Sequence, residues 1–225
     1  MRAVFTLALL VLLIWGAVRV VELIQPQDKP WTPLDLSAPV GLATKWKLDS
    51  LKGDPKWCRT LLRLDKVEFE PVADRVTAPG CGWSGAVRLT GASLSPSGPV
   101  MTCPVAAALT IWERAVVRPA ARAHLGSNLT RLDTYGTYSC RPVAGTSRTS
   151  QHATANAIDI AAFRTVRGTP VSVARDWNGT PEKAAFLRQV HDGGCEIFGT
   201  TLGPEYNAAH RDHFHLDMAG WSFCR

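Results

Sequence analysis

The sequence predicts an α+β fold, in which helices flank a small antiparallel sheet in a single compact domain, behind an N-terminal membrane segment. Three observations lead to this prediction. Residues 3–18 form an uninterrupted apolar run. Apolar residues keep helical spacing over positions 105–116, whereas the segments 129–135 and 213–215 alternate as strands do. The chain has 225 residues, 46% of them hydrophobic, so it is long enough to bury the core of one domain.

The apolar run at residues 3–18 is long for the hydrophobic region of a signal peptide. It is short for a membrane span unless it continues past Arg19 to Ile24. Because no small-x-small cleavage site directly follows the run, we expect an uncleaved signal anchor in residues 1–24, with a removed signal peptide as the alternative. An anchor of this kind would place the remaining chain on the periplasmic side of the inner membrane.

A proline-rich segment follows the apolar run. Its prolines are Pro26, Pro30, Pro33 and Pro39. They are too many for a helix or a central strand, so residues 25–40 are predicted to form an extended linker. The folded domain would then comprise residues 41–225.

The charge balance of the chain is basic, with 25 lysines and arginines against 19 acidic residues and a net charge of +6. A positive surface suits an anionic polymer or an anionic surface. The basic residues are scattered, and no nucleic-acid motif is present, so nucleic acid is not expected as a partner.

The six cysteines contain no CxxC pair, which argues against zinc-finger and thioredoxin-like sites. They are Cys58, Cys81, Cys103, Cys140, Cys195 and Cys224. Because the N-terminal segment indicates an oxidising compartment, we expect three disulfides. Fifteen connectivities are possible for six cysteines. We expect one bridge to join Cys195 to Cys224 and to fasten the chain end beside the strand at 213–215.

Proline and glycine mark the ends of two predicted helices. Cys103, which is followed by proline, should begin the longest core helix, because proline is favoured at the first helical position. Pro119 should kink or restart this helix, and Gly126 should end it. A second helix should begin at residues 180–181 and be closed by the glycines at 193–194.

An acidic residue lies in the middle of an apolar, strand-like segment at 156–163. An unpaired Asp159 would destabilise this segment by several kcal/mol or would be forced to protonate. A divalent metal ion would compensate its charge, with His152 as a second ligand. Residues seven apart lie roughly 23 Å from each other on a straight strand and roughly 10 Å on one helix. The small residues 153–156 are therefore predicted to bend the chain back.

A second histidine motif alternates along a predicted strand. His213 and His215 flank Phe214, so both imidazoles should lie on one face, with their Cα atoms about 6.7 Å apart. One can bind a metal ion while the other works beside it. His152, Asp159 and one of these two histidines would leave a fourth position for water, as in catalytic zinc sites and unlike closed, cysteine-rich structural ones.

These motifs also carry a family resemblance. SxHxxxxAxD, present as SQHATANAID from residue 150, and DHFH from residue 212 resemble the signature of zinc-dependent D-Ala-D-Ala metallopeptidases, which include murein endopeptidases and D-alanyl-D-alanine carboxypeptidases. More closely, MTCPVAAAL, YSCRPVAGTSRTSQHATANAIDI and GWSFCR resemble the bacterial extensin-like C-terminal domain family over roughly residues 35–225. One departure is Ala155, which stands where the SxHxxGxAxD form has glycine.

The resemblance implies a small sheet that carries a zinc site and a role for each ligand. His152, Asp159 and His215 lie on the metal-binding positions of the motif, and His213 lies on its catalytic position. Asp212 is the second candidate for the catalytic base, because an acidic base occupies this place in some members of the resembled group. On a regular strand, however, the Asp212 side chain would face away from the site.

Two further residues are expected to contact substrate. Arg141, in YSCRPVAG, matches an arginine that faces the substrate in the resembled family. The strand that begins near residue 129 should deliver it to the edge of the metal site. His210 is expected to orient a metal ligand or to contact substrate.

The resemblance implies a zinc-dependent hydrolase of the cell envelope that cleaves peptide bonds in peptidoglycan, as a carboxypeptidase or an endopeptidase. The expected cofactor is Zn²⁺, and the expected partners are the peptide stems of peptidoglycan and the membrane. The alternative is a non-catalytic envelope-binding or scaffolding module that retains the metal site. The intact HxH motif and the open coordination position favour the enzyme.

Overall fold

A computed structural model of the protein describes residues 2–91, 93–143, 145–220 and 222–225, and confirms a mixed α+β domain that follows an apolar N-terminal helix. The helices are α1 (Arg2–Leu23), α2 (Thr44–Ser50), α3 (Pro55–Leu64), α4 (Cys103–Ile111), α5 (Arg118–Leu125), α6 (Val173–Asp176) and α7 (Pro181–Cys195). The strands are β1 (Phe69–Pro71), β2 (Arg75–Ala78), β3 (Cys81–Trp83), β4 (Ala86–Leu89), β5 (Leu94–Ser95), β6 (Val100–Thr102), β7 (Leu129–Gly136), β8 (Ala157–Thr165), β9 (Val171–Ser172), β10 (Thr200–Leu202), β11 (Phe214–Asp217) and β12 (Phe223–Cys224).

The main sheet, within the part of the chain that the structure describes, has seven strands. Its order is β12-β10-β11-β8-β7-β5, and β9 pairs with β8. The pairs β5/β7 and β10/β12 are parallel, whereas β10/β11, β11/β8, β7/β8 and β8/β9 are antiparallel. The sheet is thus larger than predicted and is not purely antiparallel, because short strands from distant parts of the chain join its two edges.

The core helix begins at Cys103 and ends at Gly126, as the sequence predicts. Gly126 has φ +58°, the left-handed conformation that glycine adopts readily. The helix does not break at Pro119. Instead the preceding segment Trp112–Val117 is π-helical, with the N–H of Arg118 bonded to the carbonyl of Glu113. This wider turn accommodates Pro119. Proline has no N–H to donate to the helix, and in a regular α-helix its ring would clash with the carbonyl of the preceding turn.

Helix α7 does not end at its two glycines, which corrects the prediction. It runs through Gly193 and Gly194 to Cys195. A Cβ on Gly193 would lie 2.4 Å from Val116 Cγ1, and one on Gly194 would lie 3.3 Å from Thr201 side-chain atoms. The two glycines therefore allow the helix to pack closely against the core helix and the sheet. The local sequence does not reveal this role.

The N-terminal helix contains a 20-residue segment, Val4–Leu23, that is long and apolar enough to cross a membrane, with a mean hydropathy of 2.5 and none of it buried. The proline-rich segment after it differs from the extended linker that the sequence predicts. Leu34 and Leu36 are buried in the hydrophobic core, and Pro26–Asp28 forms a 3-10 turn. Two leucines among the prolines provide enough apolar surface to hold the segment on the domain.

All six cysteines are paired, which confirms the three predicted disulfides. The bridges are Cys58–Cys103, Cys81–Cys140 and Cys195–Cys224. The last is the pair expected from the sequence, and it joins the end of α7 to β12. Together with the apolar N-terminal helix, three disulfides fit a protein that resides outside the reducing cytoplasm.

Candidate metal centre

The centre of the main sheet brings two predicted ligands together. Strands β8 and β11 are antiparallel neighbours, and Asp159 lies directly opposite His215 in their register. Opposed residues on paired strands project to the same face of a sheet. Strand spacing therefore places the carboxylate and the imidazole within reach of one ion, although 56 residues separate them in the chain.

The bend expected between His152 and Asp159 is present. Residues Gln151–Thr154 form a 3-10 turn in which Ser150 Oγ accepts a hydrogen bond from the N–H of His152 (3.3 Å). Ala155 follows with φ +54° and ψ +26°, in the left-handed region. This is the position at which the motif has glycine. The backbone here keeps the left-handed conformation that glycine adopts readily, and this conformation is strained because the residue is an alanine.

The bend completes a triangle of potential ligand atoms. His152 Nε2 lies 3.1 Å from Asp159 Oδ1, His215 Nδ1 lies 3.0 Å from the same oxygen, and the two nitrogens are 3.0 Å apart. All three side chains are buried. Ligands that bind tetrahedral zinc at 2.0–2.2 Å are separated by about 3.3 Å, so the triangle nearly has the required size.

Hydrogen bonds outside the triangle fix the orientation of both imidazoles. His152 Nδ1 donates to the backbone carbonyl of Thr137 (3.1 Å), which leaves the Nε2 lone pair facing the triangle. His215 Nε2 donates to Asp217 Oδ2 (3.0 Å), which turns Nδ1 toward it. Metal-binding histidines usually donate their second N–H to a carbonyl or carboxylate in this way.

The electrostatics of the triangle favour a positive charge at its centre. Burial lowers the pKa of His215, but hydrogen bonds to Asp159 and Asp217 outweigh it and raise the pKa to about 9. Burial raises the pKa of Asp159, but hydrogen bonds from His152 and His215 outweigh it and lower the pKa far below the ordinary range. Two nitrogen lone pairs and a carboxylate oxygen repel one another at 3 Å unless a proton or a metal ion lies between them. The donor set of two imidazoles and one carboxylate fits zinc.

His213 lies beside the triangle, with its Nε2 3.5 Å from Asp159 Oδ1. Its Nδ1 donates to Asp212 Oδ1 at 2.8 Å. Strand β11 begins only at Phe214, so Asp212 lies in a turn and contacts His213, whereas a regular strand would turn it away. The Tyr135 ring stands edge-on to the His213 ring, with 5.6 Å between centroids.

The other two candidate residues lie on the rim. The His210 ring centroid is 5.3 Å from that of His213 and 5.7 Å from that of His215. Burial, together with electrostatic interactions with His215 and His213, lowers the pKa of His210 to about 4. Its Nδ1 contacts Asn207 Oδ1 at 2.8 Å.

Arg141 is exposed and lies in a loop beyond β7, which ends at Gly136, so a strand does not deliver it. The neighbouring Cys140 is bridged to Cys81, and the carbonyl of Arg141 accepts a hydrogen bond from the N–H of Ser150 (3.2 Å). Among the described residues, none forms a hydrogen bond or ion pair with its guanidinium. Its charge contributes to the low pKa of His210, which indicates that it stands near the rim.

A surface cavity of about 440 Å³ adjoins the site. It is lined by Asp212 and Glu205, together with Arg175, Trp177 and Arg211. From Asp212, which contacts His213, the cavity thus reaches two cationic side chains, a second carboxylate and an aromatic ring.

The sequence interpretation missed Asp217, Thr137 and Tyr135. Asp217 continues the alternation of His213 and His215 by two residues, and this spacing would have placed it on the same strand face. No sequence signal identifies the Thr137 carbonyl, because any residue type provides one.

Comparison with known families adds one result. The family model described as Extensin-like protein C-terminus matches residues 56–225, a range that includes the triangle, His213, Arg141 and all six cysteines. No curated protein and no solved structure matches the sequence.

Proposed function

This chain belongs to the extensin-like protein C-terminus family, and we propose that it is a zinc-dependent hydrolase that cleaves peptide bonds in peptidoglycan. The observation that carries the proposal is the buried triangle of His152, Asp159 and His215, with His213 beside it. The substrate class comes from the motif resemblance to D-Ala-D-Ala metallopeptidases. The apolar N-terminal helix and the disulfides support a location in the cell envelope.

His152, Asp159 and His215 would hold the ion, and zinc bound by them would supply a Lewis acid and an activated water. The chain prepares these ligands before the metal binds. Asp217 and the Thr137 carbonyl orient the imidazoles so that His215 Nδ1 and His152 Nε2 face the triangle. A preorganised site of this kind does not need to reorder side chains when it binds metal.

His213 is the residue that we assign to proton transfer. Asp212 accepts the hydrogen bond from Nδ1, so Nε2 is the atom that faces the triangle and can take a proton from the attacking water. The same nitrogen can then return the proton to the leaving amine. Asp212 orients His213 in this assignment, rather than acting as the base itself.

Substrate binding is assigned to Arg141 and the adjoining cavity. An exposed guanidinium without a described partner can bind a carboxylate of the peptide stem through two parallel hydrogen bonds. The cavity beside Asp212 offers room for neighbouring residues of the stem. Its two arginines can pair with the carboxylates that such peptides carry, and its two carboxylates, Glu205 and Asp212, can pair with their amino groups. His210 lies between the HxH motif and the rim, where it can contact the substrate chain.

The test is digestion of purified peptidoglycan by the full chain, purified in detergent. Products would be identified by mass after incubation with the zinc-loaded protein, with the chelated protein, and with the chelated protein after zinc is restored. We expect peptide cleavage that chelator abolishes and zinc restores. The matched control is Asp133→Asn, because Asp133 pairs with Arg131 and Arg164 away from the triangle, and this variant should retain activity.

Two outcomes would count against the enzyme. Cleavage that persists in Asp159→Asn would show that the triangle is not the active site. One bound zinc per chain without any cleavage of peptidoglycan would favour the envelope-binding module, in which the metal has a structural or ligand-binding role.

A further inference from the structure

The apolar helix α1 is joined to the domain by a very short segment. It ends at Leu23, and the next ordered element, the turn Pro26–Asp28, is already bonded to the domain. Three residues of extended chain span about 10 Å at most. The surface that holds this turn therefore lies within about 10 Å of the end of α1.

Hydrogen bonds from α2 and the residues before it hold the turn. Lys47 Nζ donates to the carbonyl of Pro26 (2.8 Å) and to Thr32 Oγ1 (2.9 Å). The N–H of Leu42 donates to Asp28 Oδ1 (2.7 Å). Lys47 is buried, so its two hydrogen bonds are partly shielded from water. The turn is part of the folded domain and cannot serve as a loose tether.

Three large apolar side chains on the segments that meet at this attachment point are exposed: Trp31 (67%), Leu42 (92%) and Trp46 (60%). We call them the tryptophan face. Leu42 is bonded to the turn through its backbone N–H. Trp31 and Trp46 each precede a residue whose side chain is bonded to the turn, namely Thr32 and Lys47. Single exposed apolar residues are common on soluble proteins, but three large ones on the segments that hold one turn indicate a partner.

Chain continuity identifies that partner. Val4–Leu23 is about 30 Å long as a helix, which matches the hydrocarbon thickness of a bilayer. Tryptophan is enriched at membrane–water interfaces, because its ring is apolar and its N–H can remain hydrated. If α1 crosses a bilayer, the short connection holds the tryptophan face at the depth where such side chains are most stable.

We propose that α1 remains attached as a membrane anchor and that the tryptophan face lies in the headgroup region of the same bilayer. The domain then rests on the membrane in one orientation. This inference does not depend on the metal centre or on hydrolytic activity, so its test is separate from that of the proposed function.

Photocrosslinking of the full chain tests this surface. Benzoylphenylalanine would replace Trp46 or Leu42, and the protein would be reconstituted into vesicles of phosphatidylethanolamine and phosphatidylglycerol. Replacement of Trp15, in the centre of α1, is the positive control. Replacement of Val166 is the matched negative control, because Val166 is also exposed (67%) but follows β8, where its N–H donates to the carbonyl of Asn128 and not to the turn. We expect lipid adducts at positions 15, 42 and 46, and none at 166.

Three results would overturn the proposal. Adducts at position 15 without adducts at 42 and 46 would show that the face does not contact lipid. Equal adduct yields at 46 and 166 would show that the domain has no fixed orientation. Removal of α1 from the mature chain, detected by N-terminal sequencing, would eliminate the anchor. Intact disulfides in each variant, checked by mass, confirm that the domain has folded.

Discussion

His215 and Asp217 lie on the same face of β11, and the carboxylate of Asp217 accepts a hydrogen bond from His215 Nε2 at 3.0 Å. This contact determines which nitrogen of His215 faces the triangle. Asp217 also accepts a hydrogen bond from the N–H of Ala219 (2.7 Å), so the carboxylate is itself held in place. The position of one candidate metal ligand thus depends on a residue that would not touch the metal.

Asp217→Asn should weaken zinc binding by about 10- to 100-fold, the usual effect of removing the carboxylate partner of a ligating histidine. Competition with a chromogenic chelator measures the affinity. Asp192→Asn is the control, because Asp192 contacts His191 in a similar pair outside the triangle. Equal zinc affinities in the two variants would show that Asp217 does not orient His215.

His215→Ala should lose both zinc and activity, because removal of one ligand from a three-ligand site removes a large share of the affinity. His213→Ala should keep close to one zinc per chain, while turnover falls by about 10² to 10⁴. Metal content and hydrolysis would be measured on the same folded preparations. Zinc lost from His213→Ala but kept by His215→Ala would reverse the two roles.

Arg141→Ala should lower kcat/KM for peptidoglycan peptides by about 10- to 100-fold, because a charge-assisted hydrogen bond contributes about 1.5–3 kcal/mol. The change should appear mainly in KM, and zinc content should be unaffected. Arg148→Ala provides the matched control, since Arg148 is an exposed arginine of the same loop. If both variants behave alike, Arg141 has no specific role in substrate binding.

Ala155→Gly should be more stable than Ala153→Gly by about 1–2 kcal/mol. Both substitutions delete a fully buried methyl group from the same turn, but only Ala155 has a positive φ, whose strain glycine relieves. Denaturant unfolding of the two zinc-saturated variants measures the difference. A larger loss in Ala155→Gly would mean that packing of its methyl group outweighs the backbone strain.

Joint replacement of Cys195 and Cys224 by serine should destabilise the domain by about 2–4 kcal/mol, because the bridge closes a long loop and restricts the unfolded chain. It should also loosen β12, the edge strand that pairs with β10. Denaturant unfolding gives the stability, and limited proteolysis reports the chain end. An unchanged unfolding midpoint would show that β12 is held by its hydrogen bonds alone.

Local features of the sequence determined the potential ligand residues and several boundaries. The embedded Asp159, the small residues before it and the alternation of His213 with His215 predicted which side chains would meet, because bends and strand alternation depend on neighbouring residues. The start of the core helix at Cys103 and its end at Gly126 followed from the preferences of proline and glycine for helix ends.

The tertiary structure decided what depends on partners distant in the chain. The register that sets His215 against Asp159 requires the pairing of β11 with β8, and two of the three disulfides likewise join segments whose proximity no local pattern encodes. Gly193 and Gly194 continue a helix because Val116 and Thr201 pack against them. Local propensity sets what a segment can form, and the surfaces that it packs against determine which form is most stable.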